Sequence, residues 1–252
     1  MKSTIEQKYS AANRIIAAID VDSEEKALAI AGRLSGCVGV LKAGLELTLS
    51  AGMQVLDTLR EAGNANIFYD AKLHDIPNTV AGAVRAAVRR KVWSITLHTS
   101  GGEAMLRAAR EAAEEESSRL GVPRPLLFGV TVLTSITPEA LRYELQVPTP
   151  LKAHVAHLAQ TAKRCGCDGV IASAFEIDIL RKVLPDPDFL IITPGVRPAG
   201  APVQDQARVK TPAEALQLGA SYLVIGRPIV GATDPAAAAL AIAEEMEPYC
   251  VK

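Results

Sequence analysis

Two rhythms of apolar residues alternate along the chain. Short runs of Ile, Val, Leu and Ala, such as IIAAI at 15–19 and YLVIG at 222–226, are separated by longer stretches with apolar residues at helical spacing. The short runs predict strands at 14–20, 38–43, 66–72, 93–98, 126–132, 169–173, 189–193 and 222–226. The stretches between them predict helices at 24–34, 45–62, 80–90, 103–118, 151–165, 176–183 and 212–218, with a last helix at 235–247. Strands this uniformly apolar suit a parallel sheet covered on both faces. Eight βα units of roughly 27 residues each predict an α/β fold, a closed (β/α)8 TIM barrel. An open doubly wound sheet is the alternative. Its dinucleotide-binding form carries a GxGxxG turn after the first strand, whereas here that strand runs into Ile19-Asp20-Val21-Asp22. No Ser/Gly/Pro-rich linker interrupts the pattern, so residues 1–252 are expected to form a single domain.

Local signals sharpen the helix starts. Thr211-Pro212-Ala213-Glu214 is a capping box with proline at the first helical position, and Asp234-Pro235 repeats the cap-plus-proline device. The connections at 134–150 and 194–210 are long. On a barrel both lie at the C-terminal ends of strands, where they are candidate lids.

Charge removes several classes of function. The chain has 27 basic and 28 acidic residues, net charge -1, and its longest basic run is Arg89-Arg90-Lys91. A nucleic-acid partner held by a basic surface is therefore not expected, and 4% aromatic content gives no stacking platform. No apolar run approaches the ~20 residues of a membrane span. The segment MKSTIEQKYSAANR has no h-region, so a cytoplasmic protein is expected. Four cysteines, Cys37, Cys165, Cys167 and Cys250, are too few for a disulfide scaffold. Cys165-Gly166-Cys167 has neither the spacing nor the companion ligands of a zinc site, and inert thiols are the better reading. His154 and His157, three apart on a predicted helix, lack a matching carboxylate for a metal.

On a barrel, polar residues at the C-terminal ends of strands are the ones that bind and react. Here these are Asp20, Lys42, Asp70, Lys72, His98 and the Gly226-Arg227 pair. The richest segment is 67–79, IFYDAKLHDIPNT. Asp70 and Lys72 are two apart on one strand and so share a face. Asp75 follows in the turn, and Pro77 opens the next helix. Two carboxylates flanking an ammonium favour its charged, proton-bearing form. A structural ion-pair network at the rim is the alternative. Asp20 could equally be a helix cap, and Arg197 and Arg227 could equally be rim ion pairs. His98 is expected to hydrogen-bond rather than react.

The segment 67–79 resembles the signature of the orotidine 5'-phosphate decarboxylase family, a hydrophobic run followed by D-x-K-x-x-D-I-P-x-T. Further blocks stand in family order: AIDVD around Asp20, LKAG around Lys42, LHTSGG at the end of the fourth strand and TVLTS around Thr134. PGVRP at 194–198, DQ at Gln206 and VIGRPI around Arg227 complete the set. Val196 stands where the family usually has isoleucine. The resemblance runs from about residue 14 to 245, leaving 1–13 as an N-terminal extension.

The resemblance implies removal of CO2 from C6 of orotidine 5'-phosphate, giving uridine 5'-phosphate, with neither metal nor organic cofactor. It makes Lys72 the proton donor to C6 and places Asp70 near the substrate carboxylate. Asp20 and Lys42 would bind the ribose, with Lys42 also joining the carboxylate network. Thr134 would bind the pyrimidine edge. Arg197, Gly226 and Arg227 would hold the phosphate, and Gln206 would span the phosphate and the pyrimidine. Asp75, Ile76 and Thr79 would reach into a neighbouring subunit's site, which implies a homodimer with shared sites. Four cations, Lys42, Lys72, Arg197 and Arg227, are thus expected to face one polyanionic nucleotide. A metal-dependent barrel enzyme acting on a sugar phosphate and a non-catalytic nucleotide-binding barrel are the competing readings.

Overall fold

Strand and helix runs alternate in the predicted order in a computed structural model, which describes residues 10–198 and 210–250. The strands are β1 (Ile15–Ala18), β2 (Val40–Ala43), β3 (Asn66–Leu73), β4 (Ser94–His98), β5 (Leu126–Val130), β6 (Gly169–Ile171), β7 (Leu190–Pro194) and β8 (Tyr222–Ile225). They form one closed parallel sheet in sequence order, with β8 paired to β1. The helices are α1 (Glu24–Leu34), α2 (Leu45–Ala51), α3 (Val55–Gly63), α4 (Pro77–Arg89), α5 (Glu103–Leu120), α6 (Leu151–Arg164), α7 (Ile177–Val183), α8 (Pro212–Gln217), α9 (Arg227–Val230) and α10 (Pro235–Met246). The fold is therefore the expected (β/α)8 barrel.

By their contacts the residues divide into two compact units. One contains the described parts of Met1–Asp70, Gly195–Gln217 and Ser221–Lys252; the other contains Ala71–Pro194 and Leu218–Ala220.

In the first unit, β1 and β2 are buried at every position, as strands covered on both faces should be. Helix α1 starts at Ser23, whose hydroxyl accepts from Lys26 N–H. The capping box before α8 is made in both directions: Thr211 Oγ1 accepts from Glu214 N–H at 3.2 Å, and Glu214 Oε2 accepts from Thr211 N–H at 2.7 Å. Asp234 caps α10 by accepting from Ala236 and Ala237 N–H. The single helix expected over 45–62 is two. Gly52 ends α2 at φ +80, and a Cβ there would sit 2.6 Å from Gln54 Oε1. A left-handed residue terminates a helix, and glycine adopts that conformation without the Cβ penalty. Helix α9 was not expected, because four residues are too few to show a helical period.

In the second unit, α4 and α5 pack side by side. Glu116 of α5 is 5% exposed and sits between two guanidinium groups. Arg119 donates to both of its carboxylate oxygens at 2.8 Å, and Arg89 Nε donates at 2.6 Å. The Arg119 hydrogen bonds first, with Arg89 adding to them against the cost of burial, hold the carboxyl at about 2 rather than its ordinary 4.5. A carboxyl depressed in the folded state stabilises the protein above its unfolded pKa. That stabilisation is lost as pH falls from about 4.5 towards about 2. We therefore expect Glu116→Gln to lower the melting temperature at pH 7 and to flatten its decline through this acid window. Thermal melts of both proteins at stepped pH test this, and parallel acid limbs would refute it.

The four cysteines are free. Burial, and next the neighbouring Asp168 carboxylate, push the Cys167 thiol up to about 12, so it remains a protonated, inert thiol at neutral pH. Among the described residues, no three His, Cys, Asp or Glu side chains are grouped to hold a metal. No described helix is long and apolar enough to cross a membrane.

Candidate active site

Strand register assembles the first group of candidate residues. In the first unit Ala18 of β1 lies opposite Lys42 of β2, and Lys42 lies opposite Phe68 of β3. Asp70 stands two residues beyond Phe68 on β3, on the same side of the pleat as Lys42, and Asp20 lies two residues beyond Ala18, past the end of β1. A lysine at this register reaches both. Lys42 Nζ is 2.9 Å from Asp20 Oδ1 and 3.7 Å from Asp70 Oδ2. The Lys42 side chain is 9% exposed and Asp70 13%, whereas Asp20 is 50% exposed. The buried Lys42 and the half-buried Asp70 satisfy one another, and Asp20 carries the pair out to solvent. Gly44 closes the cluster: a Cβ there would lie 3.2 Å from Asp20 Oδ1 and 3.3 Å from Lys42 Nζ. Asp20 lies two residues past the end of β1 rather than on it, and it caps no helix, since Ser23 caps α1.

The anion-binding candidates in this unit lie on the strand 7 and strand 8 connections. Arg197 follows β7 and is buried. Its N–H donates to Lys210 O at 3.1 Å and its Nη1 to Val196 O at 3.0 Å. Gly226 is the residue before α9, not the last residue of β8. Arg227 is the first residue of α9 and is exposed. Gln206 lies outside the described residues.

The second unit begins within β3 at Ala71, so Lys72 belongs to it. Lys72 is half-buried, and its backbone is left-handed at φ 48. Alternation of side chains presumes extended backbone, so the i, i+2 spacing from Asp70 does not by itself fix where Lys72 points. A Cβ-bearing residue in this region costs on the order of 1 kcal/mol or more and persists only where its surroundings impose it. The Lys72 N–H donates to Thr96 Oγ1 of β4 at 2.8 Å. His98, at the end of β4, lies with its ring centroid 5.4 Å from that of His74.

Beyond β3 the chain turns at Asp75, whose Oδ1 accepts from Ile76 N–H at 2.6 Å. Pro77 then opens α4, as expected. Asp75, Ile76 and Thr79 are all exposed, Ile76 at 67%. A carboxylate, an isoleucine and a threonine displayed together around a helix start are available to another molecule. Thr134 is also exposed, in the connection that follows β5. That connection contains a single π-helical turn at Ala140–Glu144, again too short to be seen as a period.

Comparison with known proteins places this arrangement among relatives. The sequence model of the family described as "Orotidine 5'-phosphate decarboxylase / HUMPS family" matches residues 13–242. The chain is 49% identical over 240 residues to orotidine 5'-phosphate decarboxylase of Moorella thermoacetica, covering 95% of this chain and 94% of that one. It is 44% identical to the protein of the same name from Syntrophomonas wolfei, covering 94% and 99%. A crystal structure of orotidine 5'-phosphate decarboxylase from Lactobacillus acidophilus superposes with a TM-score of 0.81 at 38% identity, covering 92% of this chain and 98% of that one.

Proposed function

The chain belongs to the orotidine 5'-phosphate decarboxylase / HUMPS family, and from that premise we propose that it is a carboxy-lyase converting orotidine 5'-phosphate to uridine 5'-phosphate in pyrimidine nucleotide biosynthesis. The observation that carries this reading is the buried Lys42 held between Asp20 and Asp70, with Lys72 two residues further along β3. An ammonium fixed between carboxylates at strand ends is a prepared polar site rather than a solubilising surface.

In the proposed reaction the bond from C6 to the carboxylate carbon breaks. The electron pair stays on C6 and CO2 departs. The C6 lone pair lies in the plane of the pyrimidine ring, where π delocalisation does not reach it, so fixed charge must stabilise it. Lys72 supplies that charge as a compact ammonium and then transfers a proton to C6, becoming a neutral amine that regains its proton from water. Asp70 lies beside the substrate carboxylate. Their like charges raise the ground state, a strain relieved as CO2 leaves, and Asp70 also orients the lysines. Lys42 and Asp20 hold the ribose hydroxyls, and Lys42, 3.7 Å from Asp70 Oδ2, keeps that carboxylate in place. Neither metal nor organic cofactor takes part.

Thr134 binds the pyrimidine edge. Arg197, Arg227 and the Gly226 backbone bind the phosphate, with the guanidinium groups offering paired donors to its oxygens, and Gln206 spans phosphate and pyrimidine. Phosphate is remote from the reacting bond, so its binding free energy is available to hold the base against the reacting groups. Asp75, Ile76 and Thr79 complete the site of a partner subunit in a homodimer, and their exposure at the start of α4 supports this. The enzyme works in the cytoplasm.

The test is a conversion experiment with the purified chain. We expect orotidine 5'-phosphate to be consumed with equal amounts of uridine 5'-phosphate and CO2 formed. Tight nucleotide binding without turnover would instead support a binding protein.

A further inference from the structure

Four residues other than glycine have positive φ among the described residues: Asn64, Lys72, Lys91 and Gln146. Three of them stand where helices end. Asn64 caps the C-terminus of α3, Lys91 follows the capping residue of α4, and Gln146 follows the residue that caps the π-helical turn. Left-handed backbone there is the ordinary way to stop a helix. Lys72 is different, because it is the next-to-last residue of a strand, β3, and follows no helix. Helix termination therefore does not explain a left-handed lysine at that point. The conformation must therefore be imposed by what surrounds it.

A group suited to impose it is Thr96. Its side chain is fully buried, and Oγ1 accepts the Lys72 N–H at 2.8 Å. Threonine is β-branched and stiff at χ1. Thr96 also sits in a strand whose neighbour is in fixed register, with Thr96 opposite Phe128. The hydroxyl is thus a rigid acceptor aimed at one peptide N–H. Extended and left-handed backbone aim that N–H differently, so an acceptor at this place selects between them.

We propose that Thr96 is a positioning residue for Lys72, its buried hydroxyl holding the left-handed backbone from which the lysine side chain projects. The proposal rests on the reading of Lys72 as proton donor. Thr96 touches no reacting atom. It acts by fixing the root of a long flexible side chain whose ammonium must meet one carbon atom. A displacement of about 1 Å at that ammonium costs on the order of 100-fold in rate.

The experiment compares Thr96→Val, which keeps the shape and removes the hydroxyl, with Thr96→Ser, which keeps the hydroxyl. Thr96→Cys, a poor acceptor of similar volume, is the second deletion variant should the valine chain not fold. Lys72→Ala is assayed beside them. We expect Thr96→Val or Thr96→Cys to lower kcat by roughly 10- to 100-fold with KM changed by less than about 3-fold. Affinity for uridine 5'-phosphate should be unchanged. Thr96→Ser should restore kcat to within about 3-fold of the parent. A deletion variant with parent kcat, alongside an inactive Lys72→Ala, would overturn this inference alone. Equal impairment of the serine and deletion variants would also overturn it, because the hydroxyl would then not be the acting group. Near-parent turnover by Lys72→Ala would overturn the reading of Lys72 and this inference with it.

Discussion

Lys72→Ala lowers kcat by roughly 10⁴-fold or more, while affinity for uridine 5'-phosphate remains measurable. The size follows from two functions lost together. A positioned general acid contributes about 10²–10⁴-fold, and a fixed charge facing the developing carbanion contributes about 10²–10³-fold. Neither function is served by alanine or by a water molecule entering the space. Lys72→Arg restores little, because a guanidinium spreads its charge and does not release a proton. Product binding survives because the groups proposed to hold ribose and phosphate, Asp20, Lys42, Arg197, Gln206 and Arg227, are untouched. Initial rates and equilibrium titrations with uridine 5'-phosphate separate the two quantities. A Lys72→Ala protein working near the parent rate would show that another group protonates C6.

The second large effect concerns two inactive proteins that become active on mixing. On the proposed sharing of sites between two subunits, Asp75→Asn would leave each subunit without the carboxylate owed to its partner, and Lys72→Ala would leave each without its own acid. In a mixed dimer, the subunit with intact Lys72 receives an intact Asp75 from its partner, so one site is whole. With random exchange at equal amounts, half of the dimers are mixed and about one quarter of all sites are restored. Recovered activity should approach about that fraction of the parent. The exposure of Asp75, Ile76 and Thr79 at the start of α4 is what makes such sharing geometrically available. Native mass measurement of mixed dimers is the necessary control. Proven exchange with no recovery would contradict shared sites.

Much of this was legible in the sequence because it rests on local chemistry or on a simple period. The alternation of apolar strand runs and amphipathic helix runs announced eight βα units, and the closed parallel sheet follows that order. The Thr211–Glu214 capping box and the Asp234 cap were readable because each is a short-range hydrogen-bond exchange. The break between α2 and α3 was not readable. A glycine within a helical pattern is compatible with continuation, and only the φ of +80 at Gly52 decides otherwise.

The site shows the same division. Asp20, Lys42 and Asp70 stood out individually as charges ending apolar strands. Their meeting depends on sheet register, which places Lys42 opposite Ala18 and Phe68 and which no spacing along the chain encodes. The left-handed backbone of Lys72 was hidden altogether. FYDAKL reads as unbroken strand, and its interruption involves Thr96, 24 residues away. A lone threonine inside SITLH gives no sign of it, since threonine is a common strand residue.

The proposed reaction is decarboxylation at C6 driven by this chain's own charges without a metal. It is tested most directly by following orotidine 5'-phosphate consumption by absorbance after exhaustive treatment with a chelator. The same initial rate is expected before and after treatment, with uridine 5'-phosphate as the product. Activity that vanishes with the metal and returns when a divalent cation is restored would contradict it.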